Sequence, residues 1–389
     1  MKVVQRLTYK QIFECILVLI LLFVATICTY MFILYTGNSD DSIGNDDIID
    51  KELINKEQND YLSLIMIGDS LIHEAVYADA HNENGFDFKP MFQYVKPIIS
   101  KYDLAFYNQE SILGGSEIGL STYPQFNSPY EVGDAFIDMG FNIVSLANNH
   151  TLDRGERAIK NSRDYWNSKG VLVNGSATSY EERNNFKIMK KNNITYTMLA
   201  YTDYTNGLST YGNDYLVNRI NFDVIKSDIE AVRDKVDVLM VSVHFGEEYN
   251  LNVTQRQREV AEFLAENGVD IVIGHHTHVV GKIDYIGDTL VIYSLGNFIS
   301  AQRGIERLTG LMASVNIHKK TKDGVSVITL ENPTAELVYT YTDYINGRRK
   351  NFRIYPYSML NDTLLPNYKS YYDKYMNIVV GDNIKIEKR

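Results

Sequence analysis

Short apolar runs alternate with segments of helical periodicity along most of this 389-residue chain, beginning at Tyr61. The runs YLSLIMIG, DLAFYNQE, VDVLMVSVHFG and VDIVIGHH predict strands. Between such runs, EVGDAFIDMG predicts a short helix ended by Gly140, and Thr254 to Asn267 predicts a helix closed by Gly268. Regular alternation of strands and helices favours an α/β domain with parallel strand pairs.

Three hairpins are expected to add antiparallel strands to this domain. FKIMKKNNITYTMLAY predicts a turn at Asn192-Asn193, and KIDYIGDTLVIYSLGNF predicts a second hairpin. LMASVNIHKKTKDGVSVITL predicts the third, because Asp323-Gly324 is a strong signal for a tight turn. The last segment, from about Tyr341, has no clear period, and we interpret it as either a packed extension or a tail.

The N-terminal region predicts a membrane anchor. Residues 12–35 are almost entirely apolar, and a run of about 20 such residues spans a bilayer as a helix. Because Lys2, Arg6 and Lys10 precede the run and an acidic stretch follows it, we expect a cytoplasmic N-terminus and an extracytoplasmic main domain. The predicted division is a cytoplasmic N-terminus 1–11, a transmembrane signal anchor 12–35, an acidic flexible linker 36–60, the main domain 61–340 and a C-terminal extension 341–389.

The net charge and the positions of the cysteines limit the possible binding partners and metal ligands. The formal net charge of −11 argues against nucleic acid as a partner, because phosphate backbones are bound by lysine and arginine. An anionic substrate would need a local positive centre, such as a metal ion. Both cysteines, Cys15 and Cys28, lie in the predicted anchor, so no thiolate ligand or disulfide is available elsewhere.

Residues suited to metal chemistry collect at the predicted ends of six strands, where ligands bind in open α/β sheets. Six of the eight histidines belong to this set. The groups are Gly68-Asp69 with His73 nearby, Asn108-Gln109-Glu110, Asn148-Asn149-His150 followed by Asp153 and Arg154, His244 to Glu248, Gly274 to His278, and Ser294 to Asn297.

Each residue alone has an ordinary structural alternative. Asp69 could cap a helix, Asn149 could close a turn, and His150 or His244 could be a hydrogen-bonded core histidine. Together, imidazole, carboxylate and carboxamide groups favour a site for one or two divalent ions of manganese, zinc or iron. His150 with Asp153 is a candidate pair for protonating a leaving group, although Asp153 could instead favour a helix dipole.

The ordered motifs resemble the bacterial capsule-synthesis CapA family of poly-gamma-glutamate biosynthesis, which is similar to calcineurin-like metallophosphatases. The resemblance runs from about Tyr61 to Phe298 and includes NQE, SLANNHTLDRG, HFGEEY, GHHTHV and SLGNF. It implies an α/β fold built as a four-layer α/β/β/α sandwich, with His150 as general acid. The implied metal ligands are Asp69, Glu110, Asn149, His244, His276 and His278.

The resemblance also implies roles for residues around the ligands. The sequence departs from the phosphatase pattern at two positions. His73, Asn108, Asn148, Arg154, Glu247, His275 and Asn297 are expected to support the ligands or to face the substrate. The phosphatases begin with Asp-x-His, whereas Ser70 and Leu71 follow Asp69 here, and Glu110 replaces the bridging aspartate. One metal, or two of unequal affinity, therefore remain alternatives.

Two functions are consistent with the resemblance. The first is a membrane-anchored, metal-dependent hydrolase of the phosphoesterase type, which uses a metal-activated hydroxide during capsule production. The second is a non-catalytic metal-binding scaffold of a polymer synthase or export complex. The implied partners are a polyanionic capsule polymer or related cell-envelope substrate, membrane synthase or export subunits, and the lipid bilayer through residues 12–35.

Overall fold

The computed structural model describes residues 57–380 and 386–389. The predicted N-terminus 1–11, anchor 12–35 and most of the linker 36–60 therefore lie outside the described residues. Within the described ranges, no helix has the length and apolar character needed to cross a membrane. Glu57–Thr321 and the described residues from Val325 onward belong to one compact unit, and Lys322–Gly324 group separately from it.

The strands follow the predicted apolar runs and extend beyond them. In chain order they are β1 Gln58–Leu71, β2 His81–Asn82, β3 Gly85–Phe86, β4 Leu104–Asn108, β5 Ile143–Ser145, β6 Leu172–Asn174, β7 Met189–Lys191, β8 Ile194–Thr202, β9 Val238–His244, β10 Ile271–His275, β11 Ile283–Ile286, β12 Thr289–Ile292, β13 Asn297–Ser300, β14 Thr309–Lys322, β15 Val325–Ile345, β16 Arg348–Pro356 and β17 Glu387–Lys388.

The helices lie between these strands. They are α1 Glu74–Ala80, α2 Lys96–Ile99, α3 Glu131–Met139, α4 Gly155–Asn167, α5 Tyr180–Arg183, α6 Phe222–Val232, α7 Gln255–Glu266, α8 Ile305–Leu308 and α9 Tyr368–Val379. Helix α3 ends at Gly140, which adopts the left-handed conformation with φ 108°, as its position after the apolar run predicts. Helix α7 begins with a capping box between Thr254 and Gln257.

Two large sheets contain most of the strands. The first has the order β16-β15-β14-β1-β4-β5-β6, with β13 paired to β1 and β17 paired to β15. In it, β1, β4, β5 and β6 are parallel. The second has the order β11-β12-β10-β9-β8-β7, in which β12, β10, β9 and β8 are parallel. The mixed α/β fold and its parallel pairings are thereby confirmed.

Alternate residues of the strands enter different hydrophobic clusters. Leu64 and Met66 of β1 share a cluster with Met240 of β9 and Ile273 of β10, so both sheets contribute to it. The intervening Ile65 lies in a second cluster with residues of α3. A third cluster joins the other faces of β9 and β10 to α6 and α7. Each parallel sheet is therefore apolar on both faces, which is typical of buried sheets.

Two predicted boundaries move. Strand β1 begins at Gln58, so the end of the predicted linker 36–60 is part of the first sheet. Strand β15 crosses the predicted boundary between 340 and 341. After it, β16 joins the same sheet, and Tyr375, Met376 and Val379 of α9 are buried in the cluster shared by the two sheets. This part of the C-terminal extension is therefore packed rather than a tail.

Candidate metal centre

Strands from both sheets bring the predicted ligands together. In the first sheet, Asp69 pairs in register with Asn108 of β4 and with Asn297 of β13. In the second, His244 and His275 are opposite each other at the ends of the parallel strands β9 and β10. One prediction here was wrong, because Asn297 begins β13 instead of ending a hairpin strand. The chain reverses just before it, at Gly296 with φ 64°.

One group of candidate ligands surrounds His244. Its Nε2 lies 2.9 Å from Asn149 Oδ1, 2.9 Å from His276 Nδ1 and 3.7 Å from Glu110 Oε1. A metal bonded to each at about 2.0–2.2 Å would hold neighbouring ligand atoms roughly 3 Å apart. These four atoms are acceptors unless a ring nitrogen carries a proton, so their close approach suits a shared cation.

A second group surrounds His278. Its Nδ1 lies 3.6 Å from Asp69 Oδ2, 3.8 Å from Glu110 Oε2 and 3.0 Å from Asn297 Oδ1. The Nδ2 of Asn108 donates to the other oxygen of Asp69 at 2.8 Å, which fixes the rotation of that carboxylate. Both groups include Glu110, one oxygen in each, and each meets the spacing that a metal ion needs.

Glu110 supplies the test of whether a cation fits. Its side chain is fully buried, and neither carboxylate oxygen has a hydrogen-bond partner. Burial of an unsatisfied polar group is costly, and burial of an unpaired charge is more so. Burial, together with the adjacent Asp69, raises the pKa of Glu110 well above its ordinary value. A divalent cation in each group would satisfy one oxygen of Glu110, so the residues fit a metal.

Two of the three candidate histidine ligands, His244 and His276, have the neutral state that metal binding requires. Burial, and then the neighbouring histidines, lower the pKa of His244 far below its usual value, and burial with His278 lowers the pKa of His276 to about 3. Both rings are therefore neutral near pH 7 and can act as ligands. Burial would also lower the pKa of His278, but Glu110 and Asp69 outweigh it and raise the pKa to about 9. A metal would compete with that proton.

The backbone at these ligands is strained. His276 has φ 100° and His278 has φ 59°, a region that side chains other than glycine rarely adopt. The backbone N–H of His276 is also directed towards Asp69 Oδ2 at 3.4 Å. Strain of this kind is concentrated at functional sites, where the surrounding structure imposes it.

His275 differs from the other two histidines of its motif. Its Nδ1 lies 2.6 Å from His244 Nδ1, and its Nε2 lies 2.7 Å from Ser242 Oγ. A grouping of Asp69, His244 and His275 also has metal-ligand spacing. We interpret the 2.6 Å contact as a hydrogen bond, because it leaves Nε2 of His244 free to face Glu110. His275 therefore sets the tautomer of His244, in agreement with its predicted supporting role.

We expect His275→Ala to weaken the Mn²⁺ affinity of the purified full-length chain by about 10–100-fold, as the loss of a ligand's hydrogen-bond partner usually does. His275→Asn, which keeps an acceptor, should restore part of that loss. His318→Ala is the control, because His318 is stacked on Tyr61 and bonded to Glu331, among residues that hold no candidate ligand. Unchanged affinity in His275→Ala, measured by titration, would remove His275 from the centre.

The predicted acid pair forms next to this centre. His150 Nδ1 lies 2.7 Å from Asp153 Oδ2, and that oxygen also accepts the backbone N–H of Phe126 at 2.7 Å. Helix α4 begins at Gly155, so Asp153 precedes the helix and its carboxylate is turned towards His150. Of the two alternatives for Asp153, the geometry supports the pair with His150.

Of two other predicted residues, Asn148 links segments that carry ligands, whereas His73 contacts Leu71, Phe126 and Ala301. Asn148 Nδ2 donates to Gln109 O at 2.9 Å and to Asn108 Oδ1 at 3.3 Å, which links two of the strand-end segments. The ring of His73 packs edge-on against Phe126, with Nδ1 3.1 Å from Leu71 O. Burial lowers the pKa of His73 to about 4.

Two predicted residues are directed away from the centre. The guanidinium of Arg154 donates to Ser121 Oγ at 2.6 Å and to the carbonyl oxygens of Ile118 and Gly119. It therefore anchors the loop between β4 and α3. Glu247 is exposed and accepts a hydrogen bond from Asn250 at 3.0 Å. These hydrogen bonds do not lead to a candidate ligand, so Arg154 and Glu247 are not placed as supports of the ligands. Their role in facing the substrate stays a prediction.

Sequence reasoning did not assign the loop that follows β8 to the centre. The ring of Tyr204 stacks on His276 at a centroid distance of 4.9 Å, and Asn206 contacts Asn149 and His150. A cavity of about 540 Å³ lies along this loop and reaches His276. The position of the loop could have indicated this role, because the loop follows the end of β8, a parallel strand paired with β9.

A family model and two curated proteins that match this chain are all named for capsule or PGA synthesis. Residues 63–302 match the family described as bacterial capsule synthesis protein PGA_cap. The PGA biosynthesis protein CapA of Bacillus subtilis (strain 168) is 28% identical over 254 residues, covering 63% of this chain and 64% of that protein. The capsule biosynthesis protein CapA of Bacillus anthracis is 26% identical over 258 residues, covering 64% and 62%. The alignment thus spans less than two thirds of either relative.

A solved structure also aligns with this chain. The crystal structure of a hypothetical protein from Thermus thermophilus has a TM-score of 0.43 and 16% sequence identity, and the alignment covers 70% of this chain and 98% of that chain.

Proposed function

This chain belongs to the bacterial capsule synthesis protein family, and from that premise we propose that it is a membrane-anchored, metal-dependent hydrolase of the phosphoesterase type that acts in capsule polymer production. The observation that carries the metal dependence is the buried, unpartnered carboxylate of Glu110 between two groups of histidines. We further propose that each group would hold one divalent ion, and that Glu110 would contribute to both groups.

The proposed position in the cell rests on the sequence. Residues 12–35 have the length and composition of a transmembrane anchor, and the flanking charges favour an extracytoplasmic main domain. The proposed four-layer α/β/β/α sandwich is supported by one cluster shared by the two sheets and by two clusters that join the opposite faces to helices.

The residues of the centre have separable tasks. When bound, the metal ions supply Lewis-acid stabilisation of developing negative charge and lower the pKa of water. Asp153 accepts the Nδ1 proton of His150, which leaves Nε2 of that ring as the atom that exchanges a proton with a leaving group. Asn108 and His275 hold Asp69 and His244 in their ligand orientations.

The names of the relatives support a polyanionic capsule polymer, poly-gamma-glutamate, or a related cell-envelope compound as the substrate. Because the whole chain is acidic, we propose that such a substrate binds where the metal ions provide positive charge. Membrane subunits that make or export the polymer are the proposed protein partners.

A non-catalytic scaffold is the second candidate. The observation that favours it is Leu71, which is buried in β1 at the position where the phosphatase pattern Asp-x-His has its histidine. In this case the metal centre would stabilise a subunit of the synthase or exporter without turnover.

Two variants separate these candidates. We expect His150→Gln to keep its bound metal and to lose about 10²–10⁴-fold in kcat towards a phosphate ester, because only proton transfer is removed. His244→Ala should lose both metal and activity. Metal content and phosphate-ester hydrolysis are measured on the full-length chain.

Capsule production in cells completes the test. If cells with His244→Ala lose both the metal and the capsule, and wild-type protein hydrolyses the ester, the hydrolase stands. If His150→Gln keeps its metal, loses ester hydrolysis and still supports capsule production, the scaffold is favoured and the hydrolase is wrong.

A further inference from the structure

The loop after β8 contains a tight turn at the edge of the metal centre. Thr205, Asn206, Gly207 and Leu208 form it, with the backbone N–H of Leu208 donating to Thr205 O at 2.8 Å. Asn206 has φ 50° and Gly207 has φ 75°, so both central residues are left-handed. Asn-Gly is the preferred pair for such a turn. The turn alone would explain why asparagine is present, without any role for its side chain.

The side chain of Asn206 makes a contact that the turn does not need. Its Oδ1 lies 3.3 Å from Nδ2 of Asn149. The Oδ1 of Asn149 points the other way, 2.9 Å from His244 Nε2, into the first group of candidate ligands. Asn149 is buried, and a carboxamide can present either its oxygen or its nitrogen after a half rotation. Only the oxygen can bind a cation, so the partner of Nδ2 decides which atom faces the metal.

The surrounding contacts agree with this orientation. If Asn206 were rotated by a half turn, its own nitrogen would face the nitrogen of Asn149, and two donors would be opposed. The Nδ2 of Asn206 is 3.4 Å from His150 Nδ1, but that ring nitrogen is already engaged by Asp153 at 2.7 Å. The contact between Asn206 and Asn149 is therefore the one that has a consequence for the metal centre.

We propose that Asn206 is a positioning residue of the metal centre, which holds the carboxamide of Asn149 so that its oxygen faces the metal. This inference rests on the proposed metal-dependent function and adds a part of the chain outside the six strand-end motifs. The same loop places Tyr204 on His276, so one surface segment contacts a candidate ligand in each sheet's strand-end region. Asn206 itself is exposed, so the metal centre depends on a residue at the protein surface.

Asn206→Gly is the decisive variant, because glycine accepts φ 50° and keeps the turn while removing the carboxamide. The matched control is Asn346→Gly, since Asn346 with φ 51° and Gly347 with φ 76° form the same kind of turn between β15 and β16. We expect the Mn²⁺ affinity of the full-length chain to fall by about 10–100-fold in Asn206→Gly. It should stay unchanged in Asn346→Gly.

Asn206→Asp tests the chemistry of the contact, because aspartate also tolerates the left-handed conformation and keeps an oxygen for Asn149. It should restore Mn²⁺ binding to within a few-fold of wild type, and the absorption spectrum of the Co²⁺-loaded protein should return with it. If Asn206→Gly binds Mn²⁺ like wild type, the positioning role is wrong while the metal centre stands. If wild type binds no Mn²⁺, Zn²⁺ or Fe²⁺, the proposed function itself fails.

Discussion

Replacing Glu110 with glutamine should lower the affinity for Mn²⁺ by at least about 100-fold, more than the loss of a residue that only supports a ligand. Glutamine has almost the same shape, but it removes the charge and one of the two oxygens. Because Glu110 contributes an oxygen to each group of ligands, one substitution takes the oxygen from one group and the negative charge from both. Titration of the full-length chain with Mn²⁺ measures the loss.

The same substitution should stabilise the metal-free protein at pH 7. Burial and Asp69 raise the folded-state pKa of Glu110 above its unfolded value. The ionised form is therefore disfavoured in the fold, and this contribution lowers the free energy of unfolding as the pH rises above the unfolded pKa. Glutamine removes the penalty, so urea unfolding in the presence of a chelator should show higher stability at pH 7 and a weaker dependence on pH.

Glu336→Gln provides the control for the loss of Mn²⁺ affinity. Glu336 is also a buried carboxyl group, and burial raises its pKa, but its partner is Ser358 and it has no contact with the candidate ligands. Its substitution should leave Mn²⁺ affinity unchanged. If Glu110→Gln kept the wild-type affinity, Glu110 would not be a ligand. If it lost affinity and also destabilised the metal-free protein, the attraction between Glu110 and protonated His278 would outweigh the cost of burying the carboxylate.

Local chemistry explains why the turns were predictable. Asn192 with φ 47° and Asn193 with φ 60° form the first hairpin turn, and Asp323 with φ 53° forms the third with Gly324. These residues tolerate the left-handed conformation, so their identity is enough to indicate a turn. Parallel pairing followed in the same way from the alternation of strands and helices.

Long-range pairing was not predictable from such signals. Strand β13 pairs with β1 from more than two hundred residues away, with Asn297 opposite Asp69. Nothing in SLGNF indicates whether its asparagine ends one strand or begins the next. The alternating burial of β16 and the buried face of α9 were not recognised, because the tyrosines of this segment supply apolar packing and a polar hydroxyl group from the same side chain.

The types of residue at the site were easier to predict than the orientations of their side chains. His276 and His278 converge with Asp69 and Glu110 because parallel strands end at one edge. Arg154 lies in the same motif as His150, but its side chain is directed towards a neighbouring loop. The spacing of residues in the sequence does not indicate this direction. Asn206 was missed for the opposite reason, because Asn-Gly is fully explained as a turn until the carboxamide of Asn149 is seen beside it.

Replacing Gly68 with alanine should lower the free energy of unfolding by at least about 4 kcal/mol, a size that requires a specific steric cause. A Cβ at Gly68 would lie 1.8 Å from the carbonyl oxygen of Gly296, which is far inside van der Waals contact. That carbonyl also accepts the backbone N–H of Asp69 at 2.9 Å. The clash therefore separates β1 from the segment that leads into β13, and it moves Asp69 with it.

Gly119→Ala separates this steric cause from backbone strain. Gly119 has φ 82°, but nothing lies within 4 Å of a Cβ placed there, so only conformational strain of about 1–3 kcal/mol is expected. Urea unfolding of the metal-free chain compares the two variants, and a Mn²⁺ titration should find weaker binding only in Gly68→Ala. If Gly68→Ala were no less stable than Gly119→Ala, β1 and the Gly296 segment could move apart at little cost. The glycine before Asp69 would then not be needed to bring the two sides of the centre together.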